Sequence, residues 1–295
     1  MNIRFLLIVL VLNFFFKFSE ANMLDTNSVD NKKVILVSSS LALYFGASFY
    51  YVQNAWWDDI SNDFHFDSGN DLVYALNVDK AGHFFGGVYA SDLFSSSFRW
   101  AGMKESKSVL YGAAFGTGVQ LAIELKDAYA PYWGFSKWDL GLGSVGAIWP
   151  IIQYYVRPAR AIDFKFSYFK RSNIYWDLES QRGRDPNRFS WYDDYPNQTY
   201  WMCVDLDHFI DSKGFPRWID VAFGFGLDDT QYLNGGTKMG GNQEYYLALD
   251  YDMKEILKKW TSPLAKKVKF FLKYVKLPAP TIRLAPDLKF YLFFL

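Results

Sequence analysis

The sequence predicts an α+β protein in which a helical region comes first and an antiparallel β-rich region follows. Two patterns in its 295 residues indicate this class. Before Pro158, small residues recur at every fourth position within long uncharged segments, which is typical of closely packed helices. After Pro158, short aromatic segments that alternate with polar residues are separated by turns, which is typical of antiparallel strands. We therefore place the helical region at 22–157 and the β-rich region at 158–295.

The first 21 residues have the parts of a secretory signal peptide. Arg4 supplies the positive start, 5–16 the apolar segment, and Ser19-Glu20-Ala21 the cleavage site. An uncleaved anchor is the alternative, although the apolar segment is shorter than the roughly 20 residues of a spanning helix. We predict an exported cell-envelope protein that faces the periplasm or is associated with the outer membrane. Inner-membrane location is the alternative.

The overall composition excludes several classes of function. Lys and Arg together number 31, as do Asp and Glu, so the chain lacks the strongly basic character of nucleic-acid-binding proteins. Cys203 is the single cysteine, which excludes an intramolecular disulfide and a cysteine zinc cluster. Aromatic residues make up 20%, which suits a surface at the membrane interface. The predicted partners are membrane lipid and other envelope proteins, with no nucleic acid.

Four helices are predicted in the first region. The segment 34–57 has no charge and is long enough to cross a bilayer, and the polar segment 58–79 is predicted as a loop. Three helices with glycine or alanine at four-residue spacing follow at about 79–100, 106–128 and 136–156. We expect a compact bundle of four glycine-rich, partly membrane-type helices. A buried soluble core is the alternative, although such glycines lower helix stability.

Five strands are predicted in the second region, together with one basic helix. The strands lie at 161–169, 199–209, 218–227, 243–251 and 281–295. Five are too few for a transmembrane barrel, so we expect a sheet packed against the helices. The helix, at 264–277, follows Ser262-Pro263 and is amphipathic, so it fits either a membrane interface or a solvated lysine face over the sheet. Its interface candidates are Lys266, Lys267, Lys269, Lys273 and Phe271.

Three polar motifs interrupt the apolar helical region. Ionisable groups in such surroundings must pair, face water or bind something, because an isolated charge in an apolar medium is strongly penalised. Helical spacing brings Asp79 near His83 and Glu124 near Asp127. We expect the motif residues to converge where the helix ends meet. They are Asp79, Lys80 and His83, then Glu124, Lys126 and Asp127, then Ser136 and Asp139.

The order of these motifs resembles that of a known family. Asp-Lys-x-x-His, then Glu-x-x-Asp, then Ser-x-x-Asp is similar to the YfiM-like family of predicted periplasmic lipoproteins, and through it to the VanZ-like membrane proteins. The resemblance covers about 75–150. Asp127 departs from the VanZ-like pattern, which usually has Gln there, and the sequence has no lipobox cysteine. The resemblance implies an envelope location and supplies no established catalytic residues.

Three interpretations of the motif residues remain open. In the first, they form a buried ion-pair cluster in which Lys80 and Lys126 neutralise carboxylates and fix how the helices pack. In the second, His83 and carboxylates bind a metal ion, and in the third the same groups act as an acid/base centre. Ser-x-x-Asp before a helix favours a capping box over a nucleophile at Ser136. No motif has metal-ligand spacing, so neither a metal nor a cofactor is predicted.

The leading functional hypothesis is a non-enzymatic, membrane-associated envelope component with a structural or interaction role. The alternative is a membrane-embedded enzyme or metal-binding protein that acts on lipid or cell-wall precursors. That alternative depends on Asp79, His83, Glu124 and Asp139.

Overall fold

A computed structural model describes residues 29–56, 63–67, 69, 71–130, 133–183, 194–209, 216–235 and 237–295. The predicted signal peptide at 1–21 lies outside the described residues. Within them, a helical bundle is followed by an antiparallel sheet of six strands. The predicted α+β class is confirmed.

Three helices pack against one another, and a fourth lies at their edge. In chain order the helices are α1 Asn31–Trp56, α2 Val78–Trp100, α3 Glu105–Asp127 and α4 Lys137–Tyr155. The predicted bounds of α2, α3 and α4 agree to within one residue. α1 contacts the C-terminal half of α2 through a narrow stripe, in which buried Val37 and Leu41 pack near Phe94 and Phe98. The four predicted helices are thus present, with α2, α3 and α4 packed closely together and α1 attached at one side, where little of Asn31–Tyr50 is buried.

Small residues allow α2 to approach both of its neighbours closely. A Cβ atom added at Gly87 would lie 2.0 Å from the carbonyl oxygen of Gly143 in α4. A Cβ atom at Gly112 would lie 2.0 Å from the Ser95 hydroxyl oxygen and 2.5 Å from the Ser91 carbonyl oxygen in α2. Both distances are far below van der Waals contact, so these positions have no room for any side chain.

The strands are β1 Ile162–Tyr168, β2 Gln198–Val204, β3 Ile219–Leu227, β4 Gln231–Asn234, β5 Thr237–Gly240, β6 Gln243–Tyr251, β7 Ala279–Ala285 and β8 Lys289–Phe294. The sheet has the strand order β1-β2-β3-β6-β7-β8, and every neighbouring pair is antiparallel. β4 and β5 form a separate hairpin.

Two strand predictions differ from the structure. The prediction of one strand at 281–295 is wrong, because the chain turns between β7 and β8 and the two form a hairpin. The strand predicted at 199–209 ends at Val204, because Asp205 caps a short 3₁₀ turn by accepting a hydrogen bond from the Asp207 amide at 2.9 Å.

Three more helices accompany the sheet: α5 Ile174–Gln181, α6 Met253–Ile256 and α7 Pro263–Leu272. α7 is the predicted basic helix, and the Ser262 hydroxyl caps it by accepting from the Ala265 amide at 3.2 Å. It ends before 277 because the chain becomes extended beside β1. The Phe166 amide donates to the Tyr274 carbonyl at 2.8 Å, and the Lys276 amide donates to the Phe166 carbonyl at 3.0 Å. The same segment continues into β7, so the sheet curves back towards its first strand.

Aromatic contacts join the bundle to the first two strands. The Phe164 ring of β1 lies 4.6 Å from the Phe84 ring of α2 and 5.2 Å from the Trp149 ring of α4, measured between ring centres. Tyr200 of β2 lies 6.0 Å from Phe85. The helices therefore cover the β1 and β2 part of one face of the sheet.

We expect Gly112→Ala to lower the free energy of unfolding by about 1–3 kcal/mol, because its Cβ atom overlaps α2 and forces the helices apart. Gly118 is a matched control in the same helix, since a Cβ atom there has no neighbour within 4 Å. Gly118→Ala should raise stability by about 0.5–1 kcal/mol through helix propensity. Thermal or denaturant unfolding of both variants measures this, and equal effects would contradict the close packing.

Candidate functional site

The polar motifs meet where the start of α2, the end of α3 and the start of α4 come together. We call this group the polar cluster. It consists of Asp71, Asp79, Lys80, His83, Gln120, Glu124, Ser136 and Asp139. Six of its members were singled out from the sequence, and Asp71 and Gln120 were not.

Lys80 is the centre of one half of the cluster. Its ammonium group donates to the Asp71 carboxylate, to the Asp71 carbonyl oxygen at 3.1 Å and to Asp79 Oδ2 at 2.9 Å. It also lies 3.1 Å from Asp139 Oδ1. Burial alone lowers the pKa of Lys80, but the Asp79 and Asp139 carboxylates outweigh it and raise that pKa overall. Lys80 is therefore a permanent cation that joins a loop, α2 and α4.

Asp71 reaches Lys80 because the chain reverses just before α2. Ala75, Leu76 and Asn77 have φ values of 49°, 47° and 69°, in the left-handed region that such residues rarely adopt. The Gln243 side chain holds this turn by donating to the Leu76 carbonyl at 2.8 Å. A strained backbone persists only where its surroundings fix it. The β6 strand thus helps to place Asp71 in the cluster.

Ser136 caps α4, but the predicted capping box is only half present. The Ser136 hydroxyl accepts from the Asp139 amide at 3.0 Å and donates to Asp71 Oδ2 at 2.7 Å. The Ser136 amide donates to Glu124 Oε2 at 2.9 Å, so Glu124 fills the place expected for the Asp139 carboxylate. Asp139 is directed towards Lys80 instead, because the ammonium is the stronger partner.

His83 lies in the other half of the cluster. Its Nδ1 is 3.0 Å from Gln120 Oε1 and 3.7 Å from Glu124 Oε1, and its Nε2 is 4.0 Å from Asp139 Oδ2. The His83 side chain is 19% exposed, whereas that of Glu124 is 1% exposed. His83 therefore forms the accessible edge of an otherwise buried group.

The cluster holds more negative than positive charge. Four carboxylates face one ammonium and one imidazole. Burial raises the pKa of Glu124 to about 9, and the Asp127 and Asp139 carboxylates act in the same direction. Burial also raises the pKa of Asp79 to about 7, although Lys80 opposes this shift. The carboxylates of this region thus favour a proton or another cation beyond Lys80.

Lys126 and Asp127 are the two residues of the polar motifs that are not members of the polar cluster. The Lys126 ammonium lies 5.8 Å from the centre of the Phe49 ring in α1. The Asp127 carbonyl oxygen accepts from the amides of Ala130 and Gly134, both at 3.0 Å, which shapes the turn between α3 and α4.

The basic helix presents fewer lysines to solvent than the sequence indicates. Lys266 is exposed, and Lys267 and Lys269 are half-buried. Phe271 is exposed as well. Lys273 lies inward instead, with its ammonium 2.9 Å from Asp92 Oδ2 in α2, because a buried carboxylate there requires a cation. Lys273 thus joins the helical bundle to the end of α7.

The charged side chains of the sheet lie on its inner, concave face. The Lys165 ammonium lies 2.6 Å from Asp250, and Lys276 lies 3.6 Å from the same carboxylate. Glu244 pairs with Arg171 and, at 2.7 Å, with Arg283. These ion pairs surround the buried rings of Trp201 and Tyr246.

The opposite face, which we call the outer face, is apolar. One row of facing residues crosses all six strands and contains only apolar side chains. Phe164 lies under the helices, whereas Met202, Phe223, Ile282 and Phe290 are exposed. The complete row is Phe164, Met202, Phe223, Leu247, Ile282 and Phe290.

Residues 67–155 match the model of a family described as predicted periplasmic lipoprotein (DUF2279). The matched segment contains the whole polar cluster and α2 to α4. The description agrees with the predicted exported, cell-envelope location, while the similarity to VanZ-like proteins stays a prediction. No curated protein and no solved structure matches this chain.

We expect Lys80→Met to lower the free energy of unfolding by about 3–5 kcal/mol, because it leaves three buried carboxylates without their shared cation. Lys266→Met is the matched control, since Lys266 is exposed, and should change stability by no more than about 0.5 kcal/mol. Thermal unfolding of the purified variants checks both values. A Lys80→Met protein as stable as the control would show that the ammonium does not hold the cluster together.

Proposed function

We propose that this protein is a membrane-associated component of the cell envelope with a structural or interaction role. In this proposal the outer face of the sheet and the exposed side of α1 contact lipid. The observation that carries the proposal is the distribution of side chains across the sheet, in which charges are inside and apolar groups are outside.

Strand β6 shows this distribution most clearly. Glu244, Tyr246, Ala248 and Asp250 are buried, whereas Tyr245 and Leu249 on the other face are 45% and 41% exposed. An antiparallel strand with one face in water normally has the opposite arrangement, with apolar residues buried and polar residues exposed. A strand that faces lipid outward and polar groups inward has the arrangement seen here. The pattern of β6 therefore supports a lipid environment for the outer face.

α1 supplies a second apolar surface. Its residues Asn31–Tyr50 form a helix long and apolar enough to cross a membrane by length and composition, and 11% of this stretch is buried. Ile35 and Leu43 are among its most exposed side chains. Transfer of such side chains from water to an apolar medium is favourable by roughly 25 cal/mol per Å². Lipid contact along α1 is thus the arrangement that removes this surface from water.

The family description supports an envelope location and raises the question of how the protein is held there. Cys203 is the single cysteine of the sequence, and it is buried in β2. Membrane contact through α1 and the outer face does not require a lipid-modified cysteine. The alternative of an enzyme acting on lipid or cell-wall precursors gains no support from the comparisons.

Extraction of membranes with alkaline carbonate tests the proposal. The full chain should stay with the membrane pellet. Because two surfaces contribute, a variant that carries Ile35→Glu, Leu43→Glu, Phe223→Glu and Ile282→Glu should move to the soluble fraction, and each pair alone should move in part.

Ile256→Glu combined with Trp260→Glu is the matched control, since both side chains are 40–45% exposed and lie outside the two surfaces. This control should stay in the pellet. Release of the wild-type protein by carbonate, or equal retention of the fourfold variant, would contradict lipid contact.

A further inference from the structure

We propose that His83, Glu124 and Asp139 form a binding site for one divalent transition-metal ion, of which Zn²⁺ is the reference. One nitrogen of His83 and one carboxylate oxygen from each of the other two residues lie within 4.8 Å of one another. The three come from α2, α3 and α4, so a shared ion would join all three helices of the bundle. Ligands bonded to one ion at about 2.0–2.2 Å lie within this range of each other.

Glu124 provides an independent indication of a ligand. Its side chain is 1% exposed, and its Oε2 accepts a hydrogen bond from the Ser136 amide. Its Oε1 is buried and has no hydrogen-bond partner, and the His83 Nδ1 lies 3.7 Å from it. A buried carboxylate oxygen without a partner is costly, because it has lost its hydrogen bonds to water without gaining others. A cation bound to Glu124 Oε1 and to Nε2 of the same His83 ring removes this cost.

The two halves of the polar cluster differ in how their charge is balanced. Asp71, Asp79 and Asp139 surround the ammonium of Lys80, which serves as the cation of that half. Asp139 also borders the second half, because its Oδ2, which accepts from Lys80 at 3.3 Å, lies 4.0 Å from His83 Nε2. Among the described residues, no lysine or arginine forms an ion pair with Glu124. The half built around Glu124 is therefore where a further cation fits.

Gln120 orients His83 in the way that metal ligands are commonly held. With the His83 Nδ1–H donating to Gln120 Oε1 at 3.0 Å, the lone pair is on Nε2, which lies on the Asp139 side. A metal-bound histidine almost always donates its other ring N–H to an acceptor in this manner. Gln120 is fixed in turn by close packing, since a Cβ atom on Gly143 would lie 2.6 Å from its side chain.

The donor set indicates the class of metal. One imidazole nitrogen and two carboxylates suit Zn²⁺ and other first-row divalent ions, whereas Mg²⁺ and Ca²⁺ prefer oxygen ligands alone. Three protein ligands leave room in the coordination sphere for water or a further ligand. The partly exposed edge of His83 gives such a ligand access from solvent.

Metal binding to the full-length purified protein tests this inference. After treatment with a chelator, the wild type should take up one equivalent of Zn²⁺ in calorimetry and retain it through dialysis. Glu124→Gln preserves the shape of the side chain and an acceptor for the Ser136 amide, and it should weaken Zn²⁺ binding at least roughly tenfold. Co²⁺ bound to the wild type should show visible absorption bands that change in His83→Gln.

Asp71→Asn is the matched control, because it removes a carboxylate of the same cluster from the Lys80 half. It should still bind one equivalent of Zn²⁺ with affinity within about threefold of the wild type. Absence of stoichiometric binding in the wild type would overturn the inference. Equal weakening of Zn²⁺ binding by Asp71→Asn and Glu124→Gln would also overturn it. That result would mean that the overall negative charge of the cluster attracts Zn²⁺ without a defined set of ligands. If Glu124→Gln does not fold, the Co²⁺ spectrum of His83→Gln decides the matter.

Discussion

The structure depends on the requirement that charge removed from water be neutralised locally. In the bundle, Lys80 meets this requirement for carboxylates from three different segments. In the sheet, Lys165 and Lys276 do so for Asp250, and two arginines do so for Glu244. Each pairing fixes the relative position of elements distant in sequence, because removal of one member leaves an uncompensated buried charge.

The inward placement of these charged side chains determines that the outer face of the sheet is apolar. Since the polar groups of β6 point inward, its apolar side chains point outward, and strand registry extends this arrangement to β2, β3, β7 and β8. The helices cover the outer face over β1 and β2, and α2 also contacts β3. The rest of that face is left as an apolar surface beside the bundle, and α1 adds a second one. The buried ion pairs and the proposed lipid contact are thus two consequences of one arrangement.

A metal ion at His83, Glu124 and Asp139 would extend the same principle. Lys80 balances one half of the polar cluster, and a dication would balance the other. The two halves share Asp139, so a change in one half affects the other through a single carboxylate. The site lies within the segment that matches the lipoprotein family model, at the meeting point of all three packed helices.

Much of the helical region could be predicted from the sequence, because its signals are local. Glycine spacing and the Ser136 cap indicate α2, α3 and α4, and Ser262 with Pro263 indicates the start of α7. The helix α5 was missed because it is short and its Asn173 makes no capping hydrogen bond through its side chain. The division of 281–295 into β7 and β8 was missed although Pro286 and Asp287, which are typical turn residues, lie between the two strands.

The candidate site could be predicted in part. Asp79, Lys80, His83, Glu124 and Asp139 could be recognised because they are ionisable residues in apolar helical segments. Such groups require partners. Asp71 gave no such signal, because it belongs to a polar loop and reaches Lys80 only through a left-handed turn of Ala75, Leu76 and Asn77. Nothing in those three residues predicts that conformation. The position of Gln120 four residues before Glu124 was the one available indication of its role.

The depth of the outer face in a bilayer is the most direct test of the central claim. A fluorescent label on Phe223→Cys can be placed selectively, since Cys203 is buried, and read in vesicles whose acyl chains carry bromine. The account predicts strong quenching at this position, as for a group in the hydrocarbon region, and little quenching at a label on exposed Lys258→Cys. Equal, weak quenching at both positions would show that the outer face lies in water and would contradict the account.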